Sequence, residues 1–171
     1  MADSGGVEID RVLEIVVAEI NSLAEPQGGG PPVTLTLGGS VIIGMIIPDW
    51  QWFDEVEHAA RAGFTVHMGG SIDDEHGGWA RLFRGVSESL VRDREEHRTV
   101  QNVVGGLPER YRSLLAQADR TSYIHLSGAR VLAPGGGVVG PLPPGGVHWR
   151  GRLSAVSGWS FGHLDEATTG G

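Results

Sequence analysis

Residues 33 to 47 constrain the fold more than any other stretch of this chain. Val33-Thr34-Leu35-Thr36-Leu37 alternates apolar and polar positions strictly, Gly38-Gly39 follows, and Ser40 to Ile47 is apolar at nearly every position. Strict alternation is the period of a half-buried strand, and a Gly-Gly pair supplies the positive φ angles of a two-residue primed turn. The spacing predicts a hairpin whose second strand sends Ile42 and Ile46 to one face and Val41, Ile43, Met45 and Ile47 to the other. A strand apolar on both faces belongs in the middle of a sheet, covered on both sides. Pro48 ends it.

Around this hairpin the chain divides by its apolar period. Ile9, Val12, Leu13, Val16, Val17, Ile20 and Leu23 fall on one helical stripe. Glu25-Pro26 and a glycine-proline linker stop that helix, which belongs to residues 1–25. Asp49 is placed to cap a second helix through Trp50, Trp52, Phe53, Val56 and Ala60 as far as Gly63, giving a strand pair and helix over residues 33–63. Residues 64–120 read as a partly helical insertion: Trp79, Leu82, Phe83, Val86 and Leu90 keep helical spacing, and Arg92 to Arg98 is a mixed-charge run. Leu107-Pro108-Glu109 opens a further helix with Pro in its first turn. Residues 121–164 read as two hairpins, Ser122 to Leu126 with Ala129 to Leu132 across Ser127-Gly128, and Val147 to Val156 with Trp159 to Leu164 across Ser157-Gly158. Between them lies the glycine and proline loop Pro134 to Gly146. The expected fold class is α+β, a single domain over residues 1–164. It combines a small curled antiparallel β-sheet or barrel of about six strands with an N-terminal amphipathic helix, and residues 165–171 form a flexible tail.

Composition removes much chemistry. The 171-residue chain has no Cys and no Lys, and all 13 of its Lys-plus-Arg cations are Arg. Disulfides, thiolate metal sites and cysteine nucleophiles are excluded, as are Walker-type phosphate loops, Schiff bases and lysine general bases. Gly135, Gly137 and Gly140 match G-x-G-x-x-G, but Pro141, Pro143 and Pro144 forbid the helix a pyrophosphate site needs. Gly158-Trp159-Ser160-Phe161-Gly162 matches G-x-S-x-G, yet no acid and then histidine follow it as a nucleophile elbow requires, so it reads as a strand. The 7 histidines contain no H-E-x-x-H or H-x-H pair, and Asp73-Asp74-Glu75 lacks calcium-loop spacing. We expect no catalytic residue, cofactor or resident metal. The acidic opening lacks the order of a secretory signal and no apolar run reaches the ~20 residues of a bilayer span, so a cytoplasmic location without membrane contact is expected.

Net charge is −8, which opposes binding built on neutralising many phosphates. Its distribution is uneven: residues 1 to 32 hold six acids against Arg11, whereas 121 to 164 hold Arg130, Arg150 and Arg152 and no acid. Either both faces are simply solvated, or they meet in contacts between copies or with an acidic partner. One constellation stands out beside this. If Ser157-Gly158 closes a hairpin, Val156 faces Trp159, Ser154 faces Phe161 and Arg152 faces His163, with His148 and Arg150 on the same side. Trp149, Leu153, Ala155 and Leu164 take the core side. Arg150, Arg152, Trp159, Phe161 and His163 then form an arginine and aromatic face of the composition that dominates binding at interfaces. The alternative is that the acidic first helix covers this face within the monomer, with Arg stacked on Trp. A one-residue bulge would reverse the assignment beyond it.

TSYIHLSGARVL, the glycine-proline loop and VHWRGRLSAVSGWSFGHL resemble the C-terminal signature of the gas vesicle accessory protein U (GvpU) family. Tyr123-Ile124-His125-Leu126, Trp149-Arg150-Gly151-Arg152 and Gly158-Trp159-Ser160-Phe161-Gly162 occupy its places in order. VTLTLGGSVIIGMIIPDWQWFDEV is similar to that family's strand pair and aromatic-acidic helix. The resemblance implies a non-enzymatic cytoplasmic protein that helps organise or cluster gas vesicles instead of forming their shell, and we expect it to do so at the vesicle surface through self-association. Its partners would be the gas vesicle shell or other gas vesicle proteins, and it would form a homo-oligomer. A separate likeness of helix, strand, glycine turn and bent strand to Sm-like small barrels keeps a second reading, an RNA-binding module, although the charge opposes nucleic acid. A metal-dependent enzyme is the third.

Overall fold

The computed structural model describes residues 9–68, 78–105, 121–134, 143 and 145–162. Gly38 and Gly39 adopt φ of 55° and 84°, the left-handed region that side chains avoid. They fold β1 (Pro32–Leu37) back on β2 (Ser40–Ile46), with Leu37 opposite Ser40 and Leu35 opposite Ile42. The remaining strands are β3 (Tyr123–Leu132), β4 (Val147–Arg152) and β5 (Gly158–Phe161), in an antiparallel sheet of order β4-β3-β2-β1-β5. The doubly apolar strand β2 is therefore central, as its sequence requires.

One face of β2 is covered by α1 (Arg11–Asn21), where Leu13, Val17 and Ile20 meet Val33, Leu35, Ile42, Ile46, Ile124 and Leu126. Asp10 starts that helix by accepting from the Val12 and Leu13 amides at 2.9 and 3.1 Å. The buried stripe is narrower than the periodicity predicts. Val12 is 59% exposed and Leu23 37%, while Ile9 and Val16 pack only partly on the core.

The other face meets α2 (Asp49–Met68), which runs past Gly63. Trp52 and Phe53 lie 5.5 and 6.1 Å from the His125 ring of β3, and Glu55 Oε2 is 2.7 Å from His148 Nε2 of β4. The third helix, α3 (Gly78–Gly105), is continuous through the mixed-charge run of residues 92–98 and lies against α2. Glu57 holds the pair together. Its buried Oε1 accepts from Arg61 Nε at 2.7 Å within α2 and from Arg84 at 2.8 Å on α3. Phe53 and Phe83, and the Ser87 hydroxyl donating to Trp50 O at 2.9 Å, complete the contact. The helix expected from Leu107 lies outside the described residues.

Three expectations are corrected. The sheet is open and has five strands, rather than a closed barrel of about six. Ser127-Gly128 does not turn the chain: β3 passes straight through, pairing with β2 on both sides of the dipeptide. Gly128, at φ 59°, instead inserts a β-bulge, so that two residues of β3 oppose one of β2. Ser157-Gly158 closes no hairpin either. The chain leaves β4 through a 3-10 turn, Leu153–Ala155, and β5 crosses to the far edge of the sheet to pair with β1. Leu153, almost fully buried, pins that crossing to the core.

Burial alone draws the Glu57 carboxyl upward, and the Arg61 and Arg84 guanidinium donors outweigh it, leaving the group below its ordinary value. Glu57→Gln keeps the shape and removes the charge. Loss of two charge-assisted hydrogen bonds should lower stability by about 1–3 kcal/mol, read as a reduced urea midpoint with an unchanged m-value.

Candidate interaction surfaces

The crossing of β5 divides the residues that a hairpin would have gathered. Arg150 and Arg152 stand on β4, opposite His125 and Tyr123, on the face that α2 covers. Trp159 and Phe161 stand on β5, opposite Leu35 and Val33, on the face that α1 covers. The expected single arginine and aromatic face is thus two patches at opposite edges of the sheet. His163 lies outside the described residues. Of the residues expected on the core side, Trp149 and Leu153 take it, Ala155 is exposed and Leu164 lies outside the described residues.

At the β4 edge, Arg150 sits with its guanidinium 3.7 Å from the centre of the Tyr123 ring and 5.9 Å from that of Phe53. Its Nε donates to His125 Nε2 at 3.0 Å. That bond assigns His125 its tautomer, with the proton on Nδ1, which is buried with no partner among the described residues. Burial first, and the Arg150 charge second, push the His125 value from 6.5 down to about 3. His125 is therefore a neutral prop under a stacked arginine. These groups line a groove of about 640 Å³ with Asp49, Arg94, Phe53 and Tyr123. Burial raises the Asp49 carboxyl above its ordinary value, against the Trp50 amide and the charges of Arg94 and Arg150. Sequence spacing gave no hint of this groove, because its walls come from five separate elements: α1, α2, α3, β3 and β4.

The β5 edge is built differently. Trp159 packs edge-on against Phe161 at 5.2 Å and 88°, and its ring rests on the core, whereas Phe161 is 56% exposed. The Leu13 amide first, and the Trp159 indole beside it, hold the Asp10 carboxyl below its ordinary value. The acidic first helix thus covers Trp159 within the monomer and leaves Phe161 outside. The stacking partners of arginine are Tyr123 for Arg150 and Trp50 for Arg94, the latter at 5.1 Å.

Asp54, Glu57 and His58 bring three ligating groups within 4.8 Å on α2. Glu57 already takes two guanidinium bonds, and His58 Nδ1 lies 2.9 Å from Asp54 O, so the cluster is occupied by protein contacts. Gly158 to Gly162 forms β5 and its exit, the strand its sequence predicts, while Gly135, Gly137 and Gly140 lie outside the described residues. Among the described residues no helix is long and apolar enough to cross a membrane.

The unfolded chain should take up a proton at His125 that the folded chain refuses. Stability from this site is complete above pH 6.5 and falls progressively as pH drops toward about 3. His125→Gln keeps an acceptor for Arg150 without the titration. Its urea midpoint should decline less over that interval than the wild-type midpoint does; parallel curves would mean the buried ring is protonated in the fold.

A family model described as gas vesicle protein GvpU-like matches residues 10–164. No curated protein and no solved structure matches the chain.

Proposed function

We propose, since this chain belongs to the gas vesicle protein GvpU-like family, that it organises or clusters gas vesicles through self-association and contacts with the vesicle surface. It is a gas vesicle accessory protein and not an enzyme. The observation that carries the clustering reading is the placement of two unlike patches at opposite edges of one sheet, arginines on β4 and aromatics on β5. A molecule with patches on two sides can bridge, where a molecule with one patch can only coat. Weak contacts suffice, because linked sites gain avidity without strong individual bonds.

Of the residues assigned to the contact, Arg150, Arg152 and Phe161 are exposed, whereas Trp159 is half-buried on the core; Arg150 is in addition held by His125 and Tyr123. Recognition therefore falls first on Arg152 and Phe161, with Arg150, Trp159 and His163 supporting them. The partner is the vesicle shell or another protein at the vesicle surface, and the place of action is the cytoplasm.

Vesicles float, which gives a direct assay. Tagged protein mixed with isolated gas vesicles should rise with the buoyant layer and saturate as protein is added. Protein that remains in the lower layer at every ratio would sink the proposal. Arg152→Glu combined with Phe161→Ala should leave vesicles dispersed under the microscope, raising the protein needed for clustering at least ~10-fold, the consequence of losing roughly 1.4 kcal/mol or more. Its far-UV circular dichroism should stay native.

A further inference from the structure

We propose that copies of this chain join head to tail, the outer edge of β4 in one copy pairing with the outer edge of β5 in the next. The inference rests on the self-association reading above and gives it a geometry. Both strands end the sheet, and among the described residues neither pairs with a further strand. An edge strand offers a row of unpaired N–H and C=O groups, a template for another strand.

The hydrogen-bond alternation identifies which groups are on offer. The Leu153 amide donates to Ser122 O at 3.0 Å, so in this antiparallel ladder the amides of Gly151 and Trp149 also point toward β3. Those of Arg152, Arg150 and His148 point away. On the other edge, Gly162 donates to Pro32 O at 2.9 Å, which turns Ser160 and Gly158 inward and leaves the amides of Trp159 and Phe161 outward.

Side chains select the pairing. Two β4 edges related by a twofold would oppose their Arg150 and Arg152 rows, and like charges directly opposite are destabilising. Two β5 edges would join only four residues each and leave the longer edge open. A β4 edge against a β5 edge avoids both. Val147 and Trp149 share the core face with Trp159 and Phe161, so the pairing lays an apolar row beside the ring that is 56% exposed in a single copy. β5 carries no charged side chain to oppose the arginines. Because the two surfaces differ, the contact is heterologous and repeats from copy to copy, closing into a ring or extending as a filament.

Arg152 allows a narrow test. Its φ is −75° and its amide is not needed by β3, so Pro fits there and removes only an outward donor. Light scattering of the full chain over a concentration series should show the wild type and Arg152→Ala rising above monomer mass and Arg152→Pro remaining monomeric. Phe161→Asp, which places a charge in the apolar row, should also remain monomeric. Mixed together, the two monomeric variants should form a one-to-one dimer and nothing larger, since each retains the edge the other has lost. Assembly of Arg152→Pro like the wild type, a mixture that forms no dimer, or a wild type that is monomeric throughout would each overturn the pairing. If circular dichroism shows either variant unfolded, the mass of the other decides. Failure of the wild type to float with vesicles sinks the functional reading whatever the masses are; floating wild type with an assembling Arg152→Pro sinks the edge pairing alone.

Discussion

The central strand is apolar on both faces, and that single constraint organises the molecule. Ile42 and Ile46 must be covered on one side, Ile43 and Ile47 on the other, and all four are buried. Burying such side chains is worth about 1.5–3 kcal/mol each, but only if two separate layers are in place. The helix α1 supplies one layer, and α2, steadied by α3, lies on the other side of the sheet against β3 and β4. The layers are tied where they meet: Asn21 Oδ1, at the end of α1, accepts from the Asp49 amide at the start of α2 at 3.1 Å. With helices on both sides of the sheet, its two edge strands are left open for contact.

Those edges differ in kind. The β4 edge is electrostatic and preset: Arg150 is stacked on Tyr123, tethered to His125, and neighboured by the Glu55–His148 pair. A neutral imidazole beneath the guanidinium holds Arg150 in place without adding a charge of its own beside it. The β5 edge is apolar and short, with Trp159 anchored inward and Phe161 turned outward. The difference between the edges makes repeated contact directional.

The sequence made the centre of this fold readable and its periphery less so, for a physical reason. Strict alternation and a Gly-Gly pair specify β1, β2 and their turn locally, because the period and the required φ angles have one inexpensive solution. Ser127-Gly128 is ambiguous, since a glycine at positive φ serves a tight turn and a bulge equally. The choice is settled by β2, whose length requires a long partner on both sides of the dipeptide. Leu153 to Ala155 carries no local sign of a 3-10 turn, and moving the chain across the sheet there sent Trp159 and Phe161 to the face opposite Arg150 and Arg152. The residue types singled out for contact were readable, but their division between two edges was not. The groove at Asp49 and Arg94 was hidden for the same reason: its walls converge only in three dimensions.

The Asp10 cap of the first helix lies beside Trp159 of the last strand, and β1 likewise waits for β5 as its outer neighbour. During synthesis, the ribosome must therefore release nearly the whole chain before the N-terminal cap and the outer side of β1 find their partners. Until then the nascent protein carries an unprotected strand edge of its own. Long-range pairing of this kind slows folding and prolongs exposure to misassembly.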